Sequence, residues 1–490
     1  MKKIFRLSSQ KQPKGQVLVL LALMMLLLVA VMGLAIDVGF LYVNYARLRR
    51  GVDGAAVNAA NQFKENYTAA DLNKAAREFL VLNDVPEATA TVETCDTNPS
   101  VFKPGDCPDL VADPNALKRK LVYVEATMPV DLFFLSSIGI SSTTIRADAT
   151  SEAASVDVML VIDTSDSMTW EGDGVPGQQG GPLEDPSVCN LNNSGDTTPG
   201  ECHPFEEVKV AALAFLDTLY FPYDRVGIVT FDTYPNITNN GTSSPAQPAV
   251  PVLELSNSYA TIQGALRELD VFSGDPCPAD PGVNFSNYNI PGRCRYYDTA
   301  TPPRYVGGYC PLQKYNIVNG IPASVMEAFC NNTNIGGGLQ IAGNSFSSAT
   351  PMRNESLWVV ILLTDGIPNM GTDQDGDPYC PSPYIRVNPQ CQDNNPSVRH
   401  TISTPASYDV DDYARDMADN LVGQDVIIFA IGLGAEASKP AADSLLRYVA
   451  EDAAAALNKP KGIYYAGASA TQLQGIFQAI ANNIATRIAH

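Results

Sequence analysis

Val158-Met159-Leu160-Val161-Ile162-Asp163-Thr164-Ser165-Asp166-Ser167 is the stretch that decides the fold. Five consecutive apolar residues predict a strand buried on both faces, as in a parallel sheet. The strand runs directly into a D-x-S-x-S sequence. Later, Trp358-Val359-Val360-Ile361-Leu362-Leu363 repeats the design and ends in Thr364-Asp365-Gly366. Between the two lies Thr333-Asn334-Ile335-Gly336-Gly337-Gly338-Leu339. Ligands of open α/β sheets bind outside the carboxyl ends of the strands. Asp163, Ser165, Ser167, Thr333 and Asp365 are therefore expected to converge. All five offer oxygen and none offers nitrogen or sulfur, which suits a hard cation such as Mg²⁺, with Mn²⁺ or Ca²⁺ as alternatives.

Strand and helix patterns alternate after Ser155, as a doubly wound, mostly parallel sheet requires. Helices are expected over 205–219, Tyr259–Leu269, Tyr408–Leu421 and Ala441–Ala456. Strands are expected over Arg225–Phe231, Leu357–Leu363, Asp425–Gly432 and Gly462–Tyr465. The last stretch, Ala470–Ile488, carries Leu473, Ile476, Phe477, Ile480 and Ile484 at helical spacing, and core packing explains that stripe better than a partner-binding face.

The three oxygen-bearing segments, in this order, resemble the von Willebrand factor A domain and its metal-ion-dependent adhesion site. The resemblance covers residues 155–490 and implies that Asp163, Ser165 and Ser167 form the first metal loop, Thr333 the second and Asp365 the third. It further implies a partner that presents an acidic group to the metal. The alternative is that the Ser and Thr residues cap helices and Asp365 makes a turn.

Three insertions interrupt this domain near 171–204, 273–332 and 367–405, all rich in Gly, Pro, Asn and Asp. By topology they emerge on the metal-bearing edge, where they either set recognition or cover the metal. They hold Cys189, Cys202, Cys277, Cys294, Cys310, Cys330, Cys380 and Cys391, while Cys95 and Cys107 lie earlier. None has C-x-x-C spacing, and pairing between sequence neighbours is the simplest arrangement, though connectivity stays open. Disulfides of this kind form in an oxidising compartment. Asp373, Asp375 and Asp377 resemble the start of a calcium loop. Pro378 and Tyr384 stand where an EF-hand needs Gly and Glu, so a solvated acidic turn fits better.

Val17–Ile36 is an apolar, uncharged stretch long enough to span a bilayer core. Five basic residues precede it, which places residues 1–16 in the cytoplasm and the body outside. A cleaved signal peptide is the alternative. Beyond the membrane, Leu41, Tyr45, Leu48, Val52, Ala55 and Ala59 mark one face of a continuing helix. Lys14-Gly15-Gln16, Gly33 to Gly39, Arg47-Leu48-Arg49-Arg50 and Asp53-Gly54-Ala55-Ala56 resemble tight-adherence pilus assembly proteins of the TadE/TadG kind. Asp37, at the membrane exit, reads as an ordinary interfacial helix residue. A helix at Ala69–Leu82 and strands at Lys120–Thr127 and Thr143–Ala149 follow, so that residues 38–150 form a small pilin-like α+β stalk.

Charge is divided sharply along the chain. The first 50 residues carry eight Lys or Arg and only Asp37; the remainder carries 24 basic against 52 acidic residues, a net of −28. An acidic body disfavours nucleic acid, which is held through Lys and Arg. Only three histidines exist, His203, His400 and His490, and no Ser–His–Asp arrangement is supported, so catalysis is not expected. The expectation is a membrane-anchored, extracytoplasmic adhesion protein linked to pilus assembly; the alternative is a structural minor pilus component whose A domain makes subunit contacts.

Overall fold

The computed structural model describes residues 16–63, 68–108, 117–169, 204–232, 251–271, 275–276, 294–297, 305–309, 333–349, 352–353, 355–372, 378–379, 398–403, 408–434 and 437–488. The chain forms two compact units, one of residues 1–114 with 119–153, the other of 115–118 with 154–490.

The first unit is built on one helix, α1 (Gln16–Asn61), unbroken for 46 residues. Its first half is apolar on every face and exposed from Val17 to Val29. Its second half buries Leu48, Val52, Ala55, Ala56 and Ala59. The expected face is therefore covered from Leu48 onward, whereas Tyr45 stays exposed. Helix α2 (Ala69–Leu82) packs on α1. Thr68 and Asp71 start it with a reciprocal capping box that satisfies two amides otherwise without partners. Close approach needs Gly54, where a Cβ would lie 2.1 Å from the Phe79 ring.

A three-stranded antiparallel sheet, β1 (Thr89–Thr94), β2 (Lys120–Asp131) and β3 (Ser142–Ala153), completes the unit in that order. Strand β1 was not expected from sequence; β2 starts at Lys120 as expected but runs on to Asp131 at the turn, and β3 is longer than expected at both ends. Cys95 and Cys107 are bonded to each other, as expected.

The second unit carries a six-stranded sheet. Its strands are β4 (Val156–Asp163), β5 (Arg225–Phe231), β6 (Leu253–Ser256), β10 (Leu357–Thr364), β13 (Ile427–Leu433) and β14 (Tyr464–Ala468), in the order β14-β13-β10-β4-β5-β6. All neighbours pair in parallel except β6, an antiparallel edge strand that sequence reasoning missed. Residues of β4 alternate between two cores. Val158, Leu160 and Ile162 face one, with helices α3 (Phe205–Leu216), α4 (Tyr259–Arg267) and the C-terminal α8 (Leu473–Ile488). Met159 and Val161 face the other, with α5 (Ile335–Ser348), α6 (Val410–Gly423) and α7 (Pro440–Arg447). Each side chain so enclosed contributes roughly 1.5–3 kcal/mol. Helices on both faces of a mostly parallel sheet are the doubly wound arrangement that the alternating pattern predicts. Of the C-terminal stripe, Leu473, Phe477, Ile480 and Ile484 are buried in the first core, where Phe215 meets Phe477 at 5.6 Å between ring centres.

Helix α7 continues through a π-helical turn, Tyr448–Asp452, and a last turn, Ala453–Ala456. Within the insertions, β7 (Asp275–Pro276), β8 (Cys294–Tyr297) and β9 (Tyr305–Tyr309) form a small sheet, and β11 (Gly371–Thr372) pairs with β12 (Pro378–Tyr379). Asp373, Asp375 and Asp377 lie outside the described residues, as do Cys189, Cys202, Cys277, Cys310, Cys330, Cys380 and Cys391; of Cys294 only the backbone is described.

Candidate metal centre

Strand β4 ends at the point where chain order reverses in the sheet, between β4 and β10, which leaves a crevice at their carboxyl ends. Asp163 is the last residue of β4 and is fully buried. Its Oδ1 accepts the backbone N–H of Ser165 at 2.9 Å, which turns the chain sharply. Its Oδ2 accepts the Thr364 hydroxyl at 2.6 Å, which ties β4 to the end of β10. The Thr164 amide and hydroxyl both donate to the Phe231 carbonyl, at 2.9 and 3.2 Å, which ties the same loop to β5.

The turn brings two hydroxyls side by side. Ser165 Oγ lies 2.9 Å from Ser167 Oγ, and Ser167 Oγ donates to Asp365 Oδ1 at 2.9 Å. Three oxygens from two strands thus form a continuous row. Thr333 joins from a third segment. A Cβ placed on Gly366 would lie 3.2 Å from Thr333 Oγ1, so the hydroxyl sits against the turn that follows Asp365. Thr333 is fixed there by two bonds to Asn369: its N–H donates to the side-chain Oδ1 at 2.7 Å, and the Asn369 backbone N–H donates to its carbonyl at 3.2 Å. The Asn334 N–H donates to the Asp232 carbonyl at 2.8 Å, just past β5, and Asn334 Oδ1 caps α5 by accepting from Gly337.

The glycines after Thr333 have a packing reason. At Gly336 a Cβ would meet the Tyr413 ring at 2.3 Å, and at Gly338 it would meet Phe231 at 2.8 Å and Val161 at 3.0 Å. The start of α5 is therefore wedged between the sheet and α6, and this wedge carries Thr333 to the sheet edge.

Asp163, Ser165, Ser167, Thr333 and Asp365 stand together at one edge of the sheet. Thr364, Asn369, Gly366 and Asn334 support them and were not singled out. Thr364 alone left a signal, as the hydroxyl ending β10 beside Asp365. The donor set fits a small hard cation. Neighbouring oxygens of an octahedral Mg²⁺ site with bonds near 2.1 Å stand about 2.9–3.0 Å apart. The Ser165–Ser167 and Ser167–Asp365 spacings, both 2.9 Å, match that edge. Among the described residues no group of three or more His, Cys, Asp or Glu is placed to hold a metal. This site has two carboxylates and otherwise hydroxyls. His400, the one described histidine, sits elsewhere, with Nδ1 3.3 Å from Asp412 at the start of α6.

Comparisons with known proteins bear on two parts of this description. Residues 15–62 match the family described as putative Flp pilus-assembly TadE/G-like. No curated protein matches the chain. Among solved structures, the PilB minor pilin from Streptococcus sanguinis is similar at 14% identity, over 76% of this chain and 77% of that one, with a TM-score of 0.35. The pilus adhesin SpaC from Lactobacillus rhamnosus GG is similar at 13% identity, over 75% of this chain and 33% of that one, with a TM-score of 0.35. The vWF domain of the type V pili tip protein Mfa5 from Porphyromonas gingivalis is similar at 13% identity, over 69% of this chain and 97% of that one, with a TM-score of 0.34. The chain thus joins an N-terminal segment similar to the TadE/G-like family to a doubly wound, mostly parallel α/β unit.

Proposed function

We propose that this is a membrane-anchored, pilus-associated binding protein whose second unit engages an acidic group of a partner through a bound divalent cation. The observation that carries it is the row Ser165–Ser167–Asp365, three hard oxygens from two strand-end loops successively 2.9 Å apart. Ser165, Ser167 and Asp365 would hold the ion, with Thr333 on the side of α5. Asp163 orients the first loop and supplies charge behind the hydroxyls. When bound, Mg²⁺ offers positive charge and an open coordination position to a carboxylate oxygen. The half-exposed side chains of Ser167 and Asp365 leave that position open to a partner. No proton transfer or bond cleavage is assigned to the site: it binds, and the chain is not an enzyme.

Anchoring rests on α1, long and apolar enough to cross a membrane, in the segment that matches the TadE/G-like family. The basic residues before it favour a cytoplasmic N-terminus, with the chain beyond the span outside. The same family match favours a second role, as a structural minor pilus component or assembly factor. Titration of the purified full chain with Mn²⁺, followed by the loss of its free electron-spin signal, tests the site. Binding is expected in the wild type and lost in Asp365→Ala. Equal binding in the variant overturns the metal reading. Isolated pili retained by the chain in Mg²⁺ and released by chelator would favour metal-dependent binding, whereas retention indifferent to chelator would favour the structural role.

A further inference from the structure

The segment between β2 and β3 carries no charge from Leu132 to Ile145. It folds as a single 3₁₀ turn, Leu135–Ile138, that exposes its apolar side chains rather than burying them. Phe133 is 63% exposed, Ile138 69% and Ile140 49%. An uncharged loop with three exposed large apolar residues is costly in water.

Its position along α1 is fixed by Asp37. The carboxylate accepts the backbone N–H groups of Phe133 (2.8 Å), Phe134 (3.0 and 3.1 Å) and Leu135 (2.8 Å), across nearly a hundred residues of sequence. The Phe134 ring lies over Gly33, where a Cβ would come within 2.2 Å of it, and the Phe133 ring meets Phe40 edge-on at 5.1 Å. The loop is therefore clamped to α1 between residues 33 and 40, level with the end of the apolar run Val17–Ile36. Several of its backbone amides bond within the loop. Leu132 N–H bonds the Ser141 carbonyl, Ser137 the Phe134 carbonyl, Gly139 the Ser136 carbonyl and Ile140 the Leu135 carbonyl. The Ser136 hydroxyl donates to the Phe133 carbonyl at 2.6 Å. Water satisfies such groups without help; a backbone that satisfies them internally and shows apolar side chains outward is suited to lipid.

We propose that residues 132–141 form a second membrane contact, seated in the lipid interface beside the exit of α1, with Phe133, Ile138 and Ile140 among the acyl chains and Asp37 as the positioning residue. The proposal rests on the reading of α1 as a membrane span. Lipid is the occupant because the loop meets α1 through Phe133 and Phe40, where α1 also exposes Ile36 and Val38 at the end of its apolar run. A neutral apolar wedge at a bilayer edge gains by burial in the acyl boundary.

Tryptophan reporters in the full chain, reconstituted in vesicles of phosphatidylcholine brominated at shallow or deep acyl positions, test the idea against the native background of Trp170 and Trp358. Leu27→Trp, within the span, is expected to be quenched by deep bromine. Ile138→Trp is expected to be quenched by shallow bromine about twofold more than Leu82→Trp, which sits exposed at the end of α2. Ile140→Trp repeats the measurement should position 138 disturb the turn. If Leu27→Trp is quenched while both loop reporters behave as Leu82→Trp, the loop does not meet lipid, the proposal fails and the span stands. If Leu27→Trp is not quenched either, the span fails and the loop contact with it.

Discussion

The two ends of strand β4 each bury an aspartate, and they treat it in opposite ways. At the amino end, Asp157 is enclosed with Arg225 and Arg353. Arg225 grips it with two parallel bonds of 2.9 and 2.6 Å, and Arg353 bonds the same carboxylate while donating to the Tyr223 carbonyl at 2.7 Å. At the carboxyl end, Asp163 is met by an amide and a hydroxyl, both neutral. One end of the sheet is closed by permanent cations from its own chain. The other lines up hydroxyls and a second carboxylate, Asp365, in a geometry suited to a cation from solution. The contrast separates a lock from a receptor on a single strand.

The largest expected effect comes from breaking the lock. Asp157→Ala leaves two arginines buried without their carboxylate, and the second unit should lose about 3–5 kcal/mol in denaturant unfolding. A loss under about 1 kcal/mol would mean that the triad relaxes into water and is no lock. The receptor end should respond to the ion instead. With Mg²⁺ at a hundred times its dissociation constant, the wild type should gain about 2.7 kcal/mol of stability. Asp163→Ala should gain none while keeping its fold by circular dichroism, because its core is the apolar sheet and helices. An equal Mg²⁺ shift in the variant would erase the contrast.

Gly338→Val probes how the third segment reaches the receptor. The new side chain meets Phe231 and Val161, and such overpacking costs about 1–3 kcal/mol. Mn²⁺ binding should weaken along with stability, since α5 carries Thr333. Unchanged binding with lowered stability would detach Thr333 from the site.

A half-buried carboxylate, Asp270, gives the smallest and most graded effect. Burial pushes Asp270 up to about 6, against the pull of the Lys209 ammonium, and burial lowers Lys209 to about 8. Lys209 Nζ meanwhile donates to the Arg267 and Leu269 carbonyls. A raised carboxyl favours the protonated folded state, so this contribution is present below about pH 4 and lost as pH rises through 6. Asp270→Asn should therefore lack that decline between pH 4 and 6, read as urea midpoints at each pH. Parallel profiles for wild type and variant would show that Lys209 compensates Asp270 as fully as the arginines compensate Asp157.

What was legible in the sequence follows from which forces act locally. Strands β4 and β10 announced themselves because burial on both faces demands unbroken apolar runs, and their terminal Asp163 and Asp365 came with them. The four-residue edge strand β6, Leu253–Ser256, has too few residues to show a period, and β1 is recognisable only once β2 pairs with it. The Asp157–Arg353 pair joins residues 196 positions apart, a separation at which no spacing rule operates. Asp37 was invisible as a positioning residue for the same reason: its partners are backbone groups of a distant loop. Thr333 was legible from its neighbours, but the reason for three glycines behind it appeared only with α6 and Phe231 in place.

The unbroken run of α1 has a mechanical consequence. A 46-residue helix extends about 69 Å at 1.5 Å per residue, and its apolar half and its packed half are one rod. A flexible linker would let the first unit wander over the membrane; a continuous rod makes the tilt of the span and the attitude of that unit a single variable. Tension applied to the unit is then delivered along the axis of the anchor rather than absorbed in slack.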